Sequence, residues 1–404
     1  MGGNTVKAVV WNGVGDIRMD DVAEPAIEHP QDAVVQITTS AICGTDLHMV
    51  RGTMPGMVPG TVLGHEGVGV VAEVGSQVRN FSPGDRVVIP STIGCGTCSY
   101  CRAGYFAQCD NANPGGRRAG TSFFGGPEAT GSFPGMQAER VRVPYANVGL
   151  VGLPDRVSDE EAILLSDIFP TAWFGAELAE ITPGDTVAVL GCGPVGLFSI
   201  ISARVRGAGR VLAVDGVDSR LEQARALHAE PIDYTAEDPV AAMVELTGGI
   251  GPDRVIDAVG VDAEHPKEGP ASGGGDGFRE ELSQVAPQTA PQDGTWEPGD
   301  APSQAARWSV EGVAKAGTVS IIGVYPPTMT SFPIGTAMQK NLTLKMGNCN
   351  HRKYVPELVR MVAAGQVDIA SVLTQEMGFR DVVAAYTAFD RRESGWTKVA
   401  VTTV

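Results

Sequence analysis

An α/β architecture in two parts, a β-rich barrel-like domain and a doubly wound parallel sheet, is predicted by three observations on this 404-residue chain. Short apolar runs broken by Gly and Pro fill the first 150 residues. From about residue 158 strand-like and helix-like patterns alternate. A glycine-rich turn joins one of these strands to the helix after it.

In the first part, residues 34–37, 67–71 and 86–90 read as short strands, and frequent turn residues between short strands indicate an all-β or barrel-like domain. Ser158, followed by Asp159, Glu160 and Glu161, reads as an N-cap with an acidic first turn, opening a helix toward Leu165. Residues 186–190 form a continuous apolar run, as a buried parallel strand should. A helix-like stretch at 195–206 follows, with further strands at 211–214, 254–259 and 318–322. This alternation predicts the parallel sheet. It fails at 261–303, where 13 of 43 residues are Gly or Pro, including Gly273, Gly274 and Gly275. This segment reads as a long inserted loop without a core of its own, either a passive surface feature or a flap over a ligand.

Hydrophobic residues at 43% and charged residues at 19% describe a soluble globular protein. With 30 Lys and Arg against 47 Asp and Glu, the net charge of −17 argues against nucleic acid and anionic membranes as partners. No apolar run approaches a membrane span of ~20 residues. The first residues resemble neither a signal peptide nor, with Val6 in sixth place, a myristoylation site. A cytoplasmic protein is expected.

Seven cysteines stand at 43, 95, 98, 101, 109, 192 and 349. An odd count in a long chain disfavours a disulfide framework. Cys95-x2-Cys98-x2-Cys101-x7-Cys109 puts four thiols on one short loop, which suits a closed, structural zinc. Free thiols or an iron–sulfur cluster are the alternatives.

Gly191-Cys192-Gly193-Pro194-Val195-Gly196 is a G-x-G-x-x-G turn placed between a strand and a helix, the context that makes it a dinucleotide signature. Gly191 permits the tight turn, Gly193 the close approach of backbone to pyrophosphate, and Gly196 the helix–strand packing. Pro194 and Val195 open the helix, whose N-terminus favours the pyrophosphate charge. Asp215, 24 residues beyond Gly191, suits ribose hydroxyls and repels a 2′-phosphate, so NAD is favoured over NADP, although Arg220 is close by in sequence.

Cys43, followed by Gly44, Thr45, Asp46, Leu47 and His48, and then His65-Glu66 some twenty residues on, offer a candidate metal pair. The alternative is a buried Cys and a His with ordinary hydrogen bonds.

These stretches, with the motif at 165–171 and the run at 255–260, resemble the zinc-dependent medium-chain dehydrogenases of the alcohol dehydrogenase superfamily. The branch most resembled is that of glutathione-independent formaldehyde dehydrogenase and formaldehyde dismutase. The resemblance implies a GroES-like catalytic domain at 1–168 and 347–404, with a structural zinc lobe at about 91–112. It also implies a Rossmann NAD-binding domain at 169–346 that carries the insertion 261–303. Two zinc ions per chain are implied, one held by Cys95, Cys98, Cys101 and Cys109. The other, catalytic, would be held by Cys43, His65 and Asp167, with a fourth position open. Glu66 would lie beside that metal, and Asp46 would hydrogen-bond His65. Thr45 would touch the substrate oxygen, and His48 would complete a proton relay. Thr171, Arg220 and Lys398 would meet the cofactor, Lys398 as a cation for its phosphate.

The activity implied is hydride transfer between NAD and a primary alcohol or aldehyde hydrate. Dismutation would follow if the insertion slows cofactor release. The rivals are a polyol or secondary-alcohol dehydrogenase and a non-catalytic NAD-binding redox sensor. A homodimer or homotetramer is expected, with residues 318–323 as a sheet edge between subunits. Three features depart from the resembled branch: the stretch 115–124, Trp173 and Phe174 as pocket-lining candidates, and the length of the insertion.

Overall fold

The computed structural model describes residues 4–113, 115–116, 120–273, 275 and 277–403. Part of the stretch 115–124, namely 117–119, and Gly274 and Asp276 of the insertion lie outside the described residues. The chain divides into two units. The first joins Met1–Pro170 to Thr289–Trp296 and Cys349–Val404, and the second joins Thr171–Gln288 to Glu297–Asn348.

In the first unit the β-branched strand Ala33–Ile42 is central. It pairs antiparallel with Gly67–Val74, Arg140–Val143 and Val399–Thr402. Register shifts at Val34/Val35 and Ile37/Thr39 bend this strand, as bulges do in closed β-structures. Gly69 is required where the strands cross, because a Cβ there would lie 2.1 Å from Gln36 O. One apolar cluster gathers Val35, Ile37, Val71, Ile89, Met136 and Leu150. A second gathers Trp11, Ile42, Leu47, Tyr386, Phe389 and Val401. Ser158 caps the helix Asp159–Leu164 through a reciprocal capping box with Glu161. Val399 pairs with Ile42, and that register brings the preceding residue, Lys398, to the strand end where Cys43 begins the next helix.

The second unit contains a parallel sheet. Its strand order is Glu230–Asp233, Arg210–Asp215, Thr186–Leu190, Arg254–Asp257, Thr318–Ile321, Thr343–Met346. This is the doubly wound order, and the crossover from Thr186–Leu190 places the helix Pro194–Val205. The fourth strand stops at Asp257, two residues earlier than its apolar run, because Asp257 Oδ1 accepts the N–H groups of Val259 and Gly260 and turns the chain. The expected edge at 318–323 is corrected: Thr318–Ile321 is an inner strand, and Thr343–Met346 forms the edge.

The insertion is more ordered than its Gly and Pro content implies. It contains the helix Phe278–Val285, which buries Phe278 with Ala263, Ala301 and Ala305, and Val285 with Val261 and Ala286. Apolar residues at 278, 282 and 285 repeat at helical spacing, a signal that the count of turn residues hid. Residues 289–296 join the first unit's core through Trp296, whose N–H donates to Asp390 Oδ2 at 2.7 Å. Asp390 Oδ1 in turn accepts from Arg51 Nε at 2.8 Å. Among the described residues no helix is long and apolar enough to cross a membrane.

Candidate metal and dinucleotide sites

Cys43 ends the central strand's path and is the N-cap of the helix Gly44–Arg51. Asp46, at the third helical position, accepts the Cys43 N–H at 3.0 Å. The same carboxylate lies 3.1 Å from His65 Nδ1 and 3.3 Å from Gln137 Nε2. Gln137 is held in turn by the Tyr386 hydroxyl at 2.7 Å and by Ala41 O. Asp46 engages Nδ1, so His65 Nε2 is directed away from that carboxylate, and this buried atom has no hydrogen-bond partner. Asp167 Oδ2 lies 3.4 Å from it and 3.7 Å from Cys43 Sγ. One ligand atom from each of Cys43, His65, Glu66 and Asp167 falls within 4.8 Å of the others, and all four residues are buried.

A buried thiol, an unpartnered imidazole nitrogen and a carboxylate oxygen converging on one point form a donor set that suits zinc. The buried groups of the cluster shift one another. Burial raises the Asp167 carboxyl, yet His351 and His65 hold it well below the usual carboxylate range. Burial opposes the charged form of His65, yet Asp46 and Asp167 carry it well above the ordinary histidine value. Burial, then Glu66, push the Cys43 thiol up.

Thr45 is half-buried in the first turn after Cys43. His48, one turn on and on the same helix face, is buried with Nδ1 2.7 Å from Thr53 Oγ1. The Lys398 side chain is fully buried, with Nζ 2.5 Å from Glu66 Oε2 and 3.1 Å from Ile42 O, and it forms an ion pair with Glu66. Glu66 Oε1 is left without a partner beside the cluster.

The four-cysteine lobe is built from main-chain donors. Cys95 Sγ accepts from Thr97 N and Cys98 N, each at 3.3 Å, and from Asn111 Nδ2 at 3.2 Å. Cys109 Sγ accepts from Cys95 N at 3.2 Å and Ala112 N at 3.4 Å, and Cys98 Sγ from Cys101 N at 3.5 Å. Burial raises the Cys95 thiol, but the Thr97 hydroxyl and these N–H groups outweigh it and bring it down to about 6. The four sulfurs lie within 4.8 Å of one another.

In the second unit Gly191 takes φ +84°, and a Cβ on Gly196 would lie 1.7 Å from Gly191 O. Packing within the chain therefore demands both glycines. At Gly193 the nearest atom to an added Cβ is Arg220 Nη1 at 4.0 Å, so packing within the chain does not demand glycine there. Asp215 Oδ2 accepts the Cys192 N–H at 2.6 Å, and Oδ1 accepts those of Gly216 and Val217. The acid thus braces the turn and retains lone pairs for a ligand hydroxyl. Thr171 and Val195 are half-buried. Trp173 is buried with the Arg206 guanidinium 4.6 Å above its ring, and Phe174 is buried too.

Residues 29–155 match the family described as alcohol dehydrogenase GroES-like domain, and residues 194–265 that described as zinc-binding dehydrogenase. The chain is 35% identical over 400 residues to an uncharacterised zinc-type alcohol dehydrogenase-like protein, AdhB, of Bacillus subtilis, covering 98% of this chain and 100% of that one. It belongs to the zinc-type alcohol dehydrogenases. Alcohol dehydrogenase TADH from Thermus sp. ATN1 shares its fold with a TM-score of 0.79 and 34% identity, over 98% of this chain and 99% of that one. A glutathione-independent formaldehyde dehydrogenase of Pseudomonas aeruginosa is 37% identical over 65% of this chain and 67% of its own length. Membership makes the protein an oxidoreductase with the GroES-like and Rossmann folds that its sequence predicts.

Sequence reasoning missed His351. Its Nε2 lies 2.6 Å from Asp167 Oδ1 across 184 positions, and no local pattern links the two. The one hint was compositional, since this chain has only six histidines.

Proposed function

We propose that this dehydrogenase transfers hydride between NAD and a primary alcohol or aldehyde hydrate, with zinc held by Cys43, His65 and Asp167. The observation that carries the reading is the convergence of those three buried side chains around an unpartnered His65 Nε2. Bound there, zinc would act as a Lewis acid that makes a substrate hydroxyl easier to deprotonate. Thr45 takes up the hydroxyl proton as it releases its own, and His48, one turn along the same helix, carries that proton outward. Asp46 keeps the His65 ring in one tautomer through Nδ1. Glu66, its Oε2 tied to Lys398, keeps one oxygen available beside the cluster. Cys95, Cys98, Cys101 and Cys109 hold a second zinc whose role is structural.

The cofactor sits on Gly191, Gly193, Pro194, Val195 and Gly196, with Asp215 on the adenosine ribose and Arg220 at the edge of the turn. Thr171 is a further cofactor contact. The exposed side chains of Ile334, Met338 and Met346 and the edge strand Thr343–Met346 support a homo-oligomer built from a second copy of the chain.

The test is a substrate panel of primary, secondary and polyhydric alcohols and aldehydes, run with NAD and NADP on zinc-loaded protein. The highest kcat/KM is expected for a primary alcohol or an aldehyde with NAD, with two zincs per chain. Equal use of both cofactors, or a single zinc and no turnover, contradicts the reading. The second outcome favours a redox sensor.

A further inference from the structure

We propose that His351 is a positioning residue that holds Asp167 as a one-oxygen metal ligand; the inference rests on the reading of Cys43, His65 and Asp167 as ligands. The two oxygens of Asp167 face different ways. Oδ2 looks at the cluster, 3.7 Å from Cys43 Sγ and 3.4 Å from His65 Nε2. Oδ1 lies 2.6 Å from His351 Nε2. An ionised carboxylate only accepts, so this contact assigns the proton to His351 Nε2.

A carboxylate ligand differs from a thiolate in having a second donor atom. Left free, that atom can swing onto the metal, occupying the position that substrate needs. The hydrogen bond from His351 holds it away and fixes the plane of the carboxylate, the kind of outer support that ligating carboxylates require.

His351 is itself firmly placed. It is 3% exposed and is the first residue of the helix His351–Ala363. Thr92 Oγ1 stands 3.1 Å from its Nδ1 and 3.3 Å from Cys349 O. The neighbouring residues pin the same helix end: Asn350 Oδ1 accepts the Ala107 N–H at 2.9 Å, and Arg352 Nη1 donates to Leu150 O at 2.9 Å. Ala107 lies between Cys101 and Cys109, so the four-cysteine lobe helps to hold the helix that presents His351.

The experiment titrates zinc into metal-freed protein against a chromophoric chelator and records the absorption bands of the cobalt(II)-loaded form. His351→Leu should weaken the weaker-binding of the two zincs by about tenfold to a hundredfold. It should leave the other zinc in place and shift the cobalt bands. His351→Gln, which keeps an N–H donor, should recover most of the affinity. Thr92→Val should give a smaller loss in the same direction. Unchanged zinc affinity and cobalt bands in His351→Leu overturn the proposal. If that variant does not fold, unchanged affinity and bands in both His351→Gln and Thr92→Val overturn it, and a loss in Thr92→Val supports it. Cys43→Ser separates the two levels. Metal lost in Cys43→Ser but kept in His351→Leu defeats the role of His351 alone. Metal kept in both defeats the ligand assignment beneath it.

Discussion

The four-cysteine lobe takes its ligand atoms from fifteen consecutive residues, whereas Cys43 and Asp167 are 124 positions apart. In the lobe the sulfurs are steadied by backbone N–H groups of the same loop. In the cluster three of the four residues are steadied by a side chain distant in sequence: His65 by Asp46, Asp167 by His351, and Glu66 by Lys398. A local set organises its own loop around a metal, so its binding energy is folding energy. A dispersed set exists only after the sheet has formed, so binding there adds less to the fold and leaves a position for chemistry.

Substitution at the two clusters should therefore separate turnover from stability. The largest effect is expected for Cys43→Ser, which should cut kcat/KM by about a thousandfold or more, the scale of several kcal/mol of lost Lewis-acid catalysis, with Tm little changed. Circular dichroism melts beside steady-state assays decide it, and a collapsed Tm with surviving turnover reverses the two assignments. Next comes Lys398→Met. Removing one partner of a buried pair should cost about 3–5 kcal/mol by chemical denaturation. A direct NAD titration of the folded variant separates the two roles: unchanged affinity leaves Lys398 with the ion pair alone, and weakened binding assigns it to the cofactor phosphate as well. Cys98→Ser should cost a few kcal/mol, roughly a 5–15 °C fall in Tm, and should lose one zinc by metal analysis. The smallest effect is at the dinucleotide turn. Asp215→Ala should weaken NAD binding by about 1–3 kcal/mol in a direct titration and narrow its preference over NADP.

Legibility followed the same division between local and dispersed. The N-cap at Ser158, the strand Thr186–Leu190, the glycine turn and the four-cysteine lobe are each written within twenty residues, and each stands where its pattern predicts. Cys43 and His65 were visible as a pair because few histidines exist and two lie close together. Asp167 needed the family resemblance, since its own surroundings read as an ordinary helix start. The insertion was misjudged because a count of Gly and Pro ignores the spacing of Phe278, Leu282 and Val285. The expected sheet edge failed because an apolar run reports burial, and a strand with neighbours on both sides is the more buried one.

By itself the sequence determined what depends on covalent neighbours: the alternation of strand and helix, the glycine-rich turn between them, and the four thiols on one loop. The tertiary structure decided what depends on register. Pairing of Val399 with Ile42 carried Lys398 to Glu66, and the helix His351–Ala363 carried a histidine to Oδ1 of Asp167. Buried charges are stable only when another charge or donor meets them. Those partners come from distant segments, so the pairs that tune the candidate metal centre appear only once the chain has folded.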